Sequence, residues 1–393
     1  MKFIDRSIRI AIILILGPLW AFSNPVNAQD AATNLVLVTL DGVRWQEVFG
    51  GVDQSLIDDE RYTHNPDALK QAYWHDQRSA RRERLFPFLW SVIASEGALI
   101  GDRDQGSNME VSNNWWFSYP GYNEILTGRA DPAIDSNDKN WNSNVTFLEV
   151  LNNTEGFEKR VLAFGSWDVF PYIVNTQRSS VPVNTAGDSS PPSIERSERK
   201  RWLDEVATLA PRLWSSVRLD FLTHGYALEA LEEQRPRVTF IAYGETDDFA
   251  HDQNYDRHID AAHRTDQMLA ELWNAIQSNP FYRDRTTLLI TTDHGRGNTA
   301  DGWPHHASPA ALERAGIEDS PLGVEGSDQI WIAAIGPLIR PAGLIRGQWK
   351  QSQVAATALS TLLVDPEILM PEADKAIAEL LSIQTAQSQA AED

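Results

Sequence analysis

The chain has 393 residues, of which 42% are hydrophobic and 23% are charged, and its formal net charge is −21. A chain of this length and composition can bury a large core, which excludes disorder over most of it. The absence of cysteine excludes disulfides, a thiolate nucleophile and Cys-ligated metal. The acidic net charge argues against a nucleic acid polymer as partner, because binding to its phosphates relies on a basic surface.

The first residues have the pattern of a targeting segment. Basic residues precede an apolar stretch over residues 10–22, and small residues at 26–28 suit cleavage before Gln29. The stretch is short for a bilayer and contains Pro18, so a signal peptide over residues 1–28 is favoured over an uncleaved membrane anchor. The mature chain, residues 29–393, is then expected to be exported, periplasmic or secreted, and not attached to a membrane.

Apolar, β-branched runs alternate with helical patterns along the mature chain. The predicted strands cover residues 34–40, 161–165, 238–243, 287–292 and 330–335. The helical patterns cover residues 86–95, 122–126, 202–230 and 257–276. This alternation predicts an α/β fold, with a mostly parallel central sheet covered by helices on both faces.

Two polar stretches interrupt the alternation. Residues 51–84 are charged, and residues 175–200 are rich in Ser, Pro and Asn. We interpret both as insertions in a single domain spanning residues 29–393, and the second as a candidate lid or cap.

Carboxylate and imidazole side chains follow three of the predicted strands. They are Asp41 after the first strand, Asp247, Asp248 and His251 after the third, Asp293 and His294 after the fourth, and His305 and His306 shortly beyond. Ligands of open α/β sheets bind outside the carboxyl ends of the strands, so we expect these side chains to gather at one edge. Carboxylate oxygen together with imidazole nitrogen suits zinc, manganese or iron. Singly, each residue could be a cap or a surface residue, but the set predicts a metal site.

Ser118 is a second candidate, because it stands just before Pro120-Gly121 and a helical pattern. The backbone N–H groups at a helix N-terminus point outward and favour an anion. An ordinary N-cap explains the local sequence equally well.

The order of these segments resembles the alkaline phosphatase superfamily, and its closest branch is that of the type I phosphodiesterase/nucleotide pyrophosphatase-like proteins. The resemblance covers residues 34–337 and is carried by Asp41, Ser118-x-Pro120 before Thr127-Gly128, Asp247-x-x-x-His251, Asp293-His294-Gly295 and a late His. It implies an α/β/α sandwich and two divalent metal ions, most often Zn²⁺, with Mn²⁺ preferred by some mutase relatives.

The resemblance also implies a role for each ligand position. Asp247, His251 and a late His match the ligands of one ion. Asp41, Asp293 and His294 match those of the other, with the Ser118 oxygen as a further ligand. The late His is His305 or His306, and a Trp-x-x-His spacing favours His306.

An Asn downstream of the nucleophile is further implied as a phosphate contact. Residues 137–144 contain four Asn, of which Asn137, Asn142 and Asn144 are the candidates, and they could equally be structural residues of a polar loop.

The expected activity is that of an exported, metal-dependent phosphoric ester hydrolase, a phosphodiesterase or a phosphatase, acting on a small-molecule ester. Two divalent ions can clamp the attacking and leaving oxygens of an in-line displacement, and coordination lowers the pKa of a hydroxyl. Ser118 is therefore the expected nucleophile, through a phosphoseryl intermediate.

The substrate class is less closely defined by these segments. Many diesterase relatives have Thr followed by Phe-Pro-Asn-His, whereas Ser118 is followed by Tyr-Pro-Gly-Tyr, so the preference between mono- and diesters is undecided. A formylglycine sulfatase requires Arg where Tyr122 stands, which disfavours that activity. A phosphomutase or a non-catalytic exported binding protein would also be compatible with the sequence. A metal-free Ser-His-Asp hydrolase is disfavoured because no G-x-S-x-G segment is present.

Overall fold

A computed structural model describes residues 34–186, 197–317 and 321–382. The proposed signal peptide lies outside the described residues, as does part of the second predicted insertion. Among the described residues, no helix combines the length and the apolar character needed to span a bilayer.

The strands of the described chain are mostly short. In chain order they are β1 (Asn34–Leu40), β2 (Ala98–Ile100), β3 (Ser107–Glu110), β4 (Val161–Gly165), β5 (Val183–Asn184), β6 (Val238–Tyr243), β7 (Thr286–Thr291), β8 (Gln329–Ile330), β9 (Ile332–Ile335), β10 (Gly343–Leu344) and β11 (Gly347–Lys350).

The helices lie between these strands. They are α1 (Trp45–Gly50), α2 (Gln54–Ile57), α3 (Pro66–Tyr73), α4 (Arg78–Leu85), α5 (Ala94–Glu96), α6 (Ser118–Thr127), α7 (Phe147–Asn152), α8 (Phe170–Ile173), α9 (Thr176–Ser179), α10 (Glu198–Leu209), α11 (Asp220–Glu233), α12 (Glu245–His251), α13 (Tyr255–Ser278), α14 (Pro309–Arg314), α15 (Gln353–Thr361) and α16 (Pro366–Leu369). A π-helical turn covers Leu89–Ile93, and 3₁₀ turns cover Arg103–Gln105 and Ala378–Leu380.

Within the described residues, eight strands form the main sheet in the order β10-β2-β9-β7-β1-β6-β4-β5. β1 pairs in parallel with both β6 and β7, and β4 pairs in parallel with β6. β9 is antiparallel to its neighbours β7 and β2. The mostly parallel sheet predicted from the sequence is confirmed, and β1, β6 and β7 lie side by side near its centre.

Alternate residues of the central strands belong to different hydrophobic cores. In β1, Val36, Val38 and Leu40 pack into one core, whereas Leu35 and Leu37 pack into the other. Successive strand residues point to opposite faces, so the sheet has a core on each face. Helix α13 covers the first core and helices α6 and α15 cover the second, which gives the α/β/α sandwich.

Two predicted elements are each divided into two in the structure. The single helix predicted over residues 202–230 is two helices, α10 and α11, and the helical pattern breaks at Pro211, which lacks the N–H that a helix interior requires. The single strand predicted over residues 330–335 changes sheets at Trp331, with β8 in a three-stranded sheet and β9 in the main one.

The predicted insertions contain regular structure. Residues 51–84 carry α2, α3 and α4, and the described part of residues 175–200 carries α9 and the edge strand β5. That they are insertions stays a prediction.

Candidate metal centre and nucleophile

The predicted ligand residues are placed by three adjacent strands. Asp41 follows β1, Asp247 and His251 lie on α12 directly after β6, and Asp293 and His294 follow β7. Since the sheet order is β7-β1-β6, the three carboxyl ends bring these side chains to one edge, as the sequence predicted.

The first group of side chains surrounds the His294 imidazole. Its Nε2 lies 3.4 Å from Asp41 Oδ1, 3.5 Å from Asp293 Oδ2 and 3.4 Å from Ser118 Oγ. His294 Nδ1 lies 2.8 Å from the Gly295 carbonyl oxygen, to which it can donate its proton, and Nε2 is then free to act as a ligand.

The chemistry of this group fits a divalent cation. Asp41 Oδ1 and Asp293 Oδ2 are buried, and neither accepts a hydrogen bond from the described part of the chain. Each of these carboxylates is held at its other oxygen: the Tyr122 hydroxyl donates to Asp41 Oδ2 (2.9 Å), and the Gly42 N–H donates to Asp293 Oδ1 (3.2 Å). Buried carboxylate oxygens without a hydrogen-bond partner lower the stability of a protein unless a cation binds them.

A second group adjoins the first. His251 Nε2 lies 3.2 Å from Asp247 Oδ2 and 2.9 Å from His306 Nε2. His306 Nδ1 lies 3.3 Å from the Trp116 carbonyl oxygen, and the ring stacks on His294 with centroids 3.8 Å apart. The structure therefore places His306 among these groups. His305 is exposed.

The two groups of side chains are adjacent and could hold two ions. Ligand atoms of Asp41, Asp293 and His294 lie within 4.8 Å of one another, as do those of Asp247, His294 and His306. His294 Nε2 lies 3.9 Å from Asp247 Oδ1, which connects the two sets.

Ser118 is the first residue of α6, and its hydroxyl faces the first group. Helix α6 approaches Asp293 so closely that a Cβ at Gly121 would lie 2.4 Å from the Asp293 carbonyl oxygen. Glycine at 121 thus allows the helix to carry Ser118 up to the ligands. The helix begins at Ser118 itself, earlier than the 122–126 pattern predicted.

The three candidate Asn residues are not equivalent. Asn137 lines the cleft next to Ser118, and its Oδ1 accepts the Tyr119 N–H at 2.9 Å, so the amide nitrogen is the group able to donate to a ligand. Asn142 and Asn144 are buried and both donate to Asn123 Oδ1. Asn142 and Asn144 do not line the cleft, and their amides hold the loop together. The substrate-binding role expected for the three Asn residues stays a prediction.

A cleft of about 460 Å³ opens over these groups. Its lining residues are Asp41, Phe117, Ser118, Asn137, Trp167, Ser216, Val217, Gly244, Asp247, Asp248, His251 and His306. The lining is therefore mostly polar and acidic, and Phe117, Trp167 and Val217 supply apolar surface for an organic group.

The carboxyls of the site repel one another. Burial, and then the charge of Asp247, raise the pKa of Asp41; burial and the neighbouring Asp41 raise the pKa of Asp293 well above its ordinary value. Burial acts to lower the pKa of His294, but the surrounding carboxylates, Asp293 first, raise it to about 9. The protein groups alone thus leave an excess of negative charge, which a cation would offset.

Sequence reasoning missed two partners of the ligands. Tyr122 holds Asp41, and Arg296, fully buried, pairs with Asp247. Arg296 stands two residues after His294, and a charged residue so close to a ligand in a strand-end loop was the available signal. Tyr122 sits one helical turn after Ser118, which places it on the same side of α6.

Comparison with known proteins connects this geometry to a family. Residues 62–315, well over half of the chain, match the sequence profile of the family described as type I phosphodiesterase / nucleotide pyrophosphatase. No curated protein matches the chain.

Several solved structures have a similar fold. Wild-type alkaline phosphatase PafA superposes with a TM-score of 0.55 at 11% identity, over 89% of this chain and 99% of that chain. An inactive variant of murine ectonucleotide pyrophosphatase/phosphodiesterase 5, in complex with AMP, gives 0.50 at 12% identity, over 89% and 100%. An alkaline phosphatase superfamily protein from Vibrio parahaemolyticus gives 0.51 at 13% identity, over 87% and 69%. At these identities the likeness concerns the fold.

Proposed function

The chain belongs to the type I phosphodiesterase/nucleotide pyrophosphatase family, and on that premise we propose that it is a metal-dependent phosphoric ester hydrolase, principally a phosphodiesterase, with Ser118 as nucleophile. The fold, shared with the alkaline phosphatase superfamily, supports the hydrolase class. The metals, the serine mechanism and the ester preference are our own inferences from the site.

The spacing of the ligand atoms carries this proposal. Ligand atoms about 2.0–2.1 Å from a tetrahedral Zn²⁺ lie roughly 3.3–3.4 Å from one another. The distances from His294 Nε2 to Asp41 Oδ1, Asp293 Oδ2 and Ser118 Oγ are 3.4, 3.5 and 3.4 Å. Asp41, Asp293, His294 and Ser118 would therefore hold one Zn²⁺ or Mn²⁺, and Asp247, His251 and His306 would hold the other.

Divalent cations at these positions would lower the pKa of the Ser118 hydroxyl and neutralise charge on the transferring phosphoryl group. Ser118 releases its hydroxyl proton to solvent, and its Oγ attacks phosphorus in line with the leaving ester oxygen. The P–O bond to Ser118 forms as the bond to the leaving group breaks, and the leaving oxygen departs with the electron pair and takes up a proton from solvent. Water then attacks the phosphoseryl ester, which releases the phosphate product and returns the hydroxyl, with its proton, to Ser118. The amide nitrogen of Asn137 donates to a phosphoryl oxygen during both displacements.

The charge of the cleft favours a diester over a monoester. Among the described residues that line it, none is Lys or Arg, whereas Asp41, Asp247 and Asp248 contribute carboxyl groups. The dianion of a monoester would therefore meet no cationic side chain here, and the single charge of a diester needs less compensation. The apolar residues that line the cleft suit the second ester group.

The decisive experiment compares substrates on a single preparation of known metal content. We expect kcat/KM for bis-p-nitrophenyl phosphate to exceed that for p-nitrophenyl phosphate by at least about tenfold, or ~1.4 kcal/mol in transition-state stabilisation. A nucleotide and p-nitrophenyl sulfate complete the panel. Faster monoester cleavage would make the protein a phosphatase of the same mechanism, whereas no bound transition metal together with no turnover would leave a non-catalytic binding protein.

Asn137→Ala is expected to lower kcat by about 10²-fold, because removing one donor to a developing charge typically costs that much. Asn140→Ala is the matched control, since Asn140 is exposed in the same loop and does not line the cleft. Steady-state kinetics on the diester measures both variants. If both changes lower kcat equally, the effect of Asn137→Ala comes from a disturbed loop and not from a lost hydrogen bond to the substrate.

Export of the protein is also part of the proposal, and it rests on the N-terminal sequence pattern alone. Intact mass of the protein recovered from the periplasm or the medium should correspond to a chain that begins at Gln29. Recovery of the chain beginning at Met1 would contradict cleavage at that point.

A further inference from the structure

The Arg296 side chain is fully buried and spans two parts of the site. Its Nη1 contacts Asp247 Oδ1, on α12. Its Nε donates to the Trp303 carbonyl oxygen at 2.9 Å, and its Nη2 donates to the Pro304 carbonyl oxygen. One guanidinium therefore connects a predicted ligand to the segment that immediately precedes His306.

The guanidinium approaches Asp247 from the interior of the protein. Asp247, His251 and His306 line the cleft, but Arg296 does not. Arg296 contacts Oδ1 of the carboxylate, which also lies 3.6 Å from His306 Nε2, whereas Oδ2 lies 3.2 Å from His251 Nε2. Oδ2 thus stays available to a cation beside His251 while Arg296 fixes the orientation of the carboxylate.

The backbone leaves room for this ion pair. Gly42 has a φ of +60°, and a Cβ there would lie 2.7 Å from Asp247 Oδ1 and 2.8 Å from Arg296 Nη1. A side chain at position 42 would push the pair apart. The loop after β1, which carries Asp41, is therefore shaped around the Arg296–Asp247 contact.

We propose that Arg296 is a positioning residue that aligns Asp247 and His306 as ligands of one cation, so that its loss weakens that ion selectively. This rests on the proposed function, because it takes these residues to be metal ligands. Groups that orient metal ligands typically contribute 10–100-fold to metal affinity. A positive charge near a cation would by itself weaken binding of that cation, so loss of Arg296 would strengthen binding if only its charge mattered. Weaker binding after loss of Arg296 would instead show that the residue aligns the ligands.

The test measures ion binding and does not depend on turnover. Apoprotein is titrated with Zn²⁺ by calorimetry, and metal content is determined after dialysis, for wild type, Arg296→Met and Arg296→Lys. We expect two ions in the wild type and, in Arg296→Met, an affinity for one of them lower by about 10–100-fold. Arg296→Lys, which keeps the charge and part of the hydrogen bonding, should recover some of the loss and provides a folded variant if methionine is not tolerated.

Two further variants identify the affected ion. His251→Ala removes a proposed ligand of the same ion. The double variant with Arg296→Met should therefore bind as many ions as His251→Ala alone. Arg178→Met is the control for losing a multiply bonded arginine, because Arg178 pairs with Glu149 and with backbone carbonyl oxygens away from the cleft. It should leave both ions in place.

The outcomes separate this proposal from the proposed function. Unchanged or tighter binding in both Arg296 variants, or equal weakening of both ions, would overturn the positioning role while leaving the metal-dependent hydrolase intact. Failure of the wild type to bind any ion would overturn both.

Discussion

Ser118→Ala is expected to lower kcat by about 10⁴-fold or more, the scale seen when a nucleophile is removed from a site whose other parts remain. The Ser118 oxygen lies 3.4 Å from His294 Nε2 at the start of α6, and no other hydroxyl among the described residues that line the cleft contacts His294. Binding of a slowly hydrolysed diester should persist, because the cleft and the remaining ligands are unchanged.

Ser216→Ala is the matched control, since Ser216 lines the same cleft and should lose less than about tenfold. Rapid acid quench with a labelled diester should trap label on Ser118 in the wild type and in Ser216→Ala, and should trap none in Ser118→Ala. Turnover by Ser118→Ala within tenfold of wild type would rule out the serine mechanism.

Removal of metal is expected to abolish activity, and addition of Zn²⁺ or Mn²⁺ should restore it. The same treatment should lower stability, because an ion present at about 1,000 times its Kd stabilises the folded state by about 4 kcal/mol. Activity and melting temperature are measured on the same samples before chelation, after chelation and after metal is restored. Activity that survives complete removal of metal would instead favour a metal-free hydrolase.

The stability lost with the metal should grow as the pH rises. The pKa values of Asp41 and Asp293 are raised, by burial and then by neighbouring carboxylates, so the metal-free folded protein holds protons that the unfolded chain releases above about pH 4. The metal-free form therefore loses stability with increasing pH, whereas bound cations replace those protons. The difference in melting temperature between the two forms should be larger at pH 8 than at pH 5; a constant difference would contradict this electrostatic account.

The sequence predicted the parts of the site that depend on strand order. Asp41, Asp247 and Asp293 each follow a buried apolar strand, and parallel strands bring such positions to one edge. A helix was recognisable after Ser118, although it begins at Ser118 itself and not at residue 122. These inferences needed only periodicity and the chain positions at which strands end.

Other parts of the site could not be predicted from the sequence, because they depend on the direction of individual side chains. Asn137, Asn142 and Asn144 share one polar loop, and only the folded loop shows that Asn137 faces the cleft while the other two bond to Asn123. The contact of Arg296 with Asp247 joins residues 49 positions apart. The local sequence marks Arg296 as a charged residue close to a ligand, but it does not show that the partner of Arg296 is Asp247.

The proposed ligand residues follow the central strands of the main sheet, where the pairing is most extensive. The ligand-bearing loops leave β1, β6 and β7, and β1 pairs with each of the other two over six residues. The outermost strands β5 and β10 contribute two residues each. Lengthening or replacement of these outer strands would leave the central pairings, and with them the proposed ligand residues, in place. Variation at the margins of the sheet is therefore compatible with the chemistry proposed for its centre.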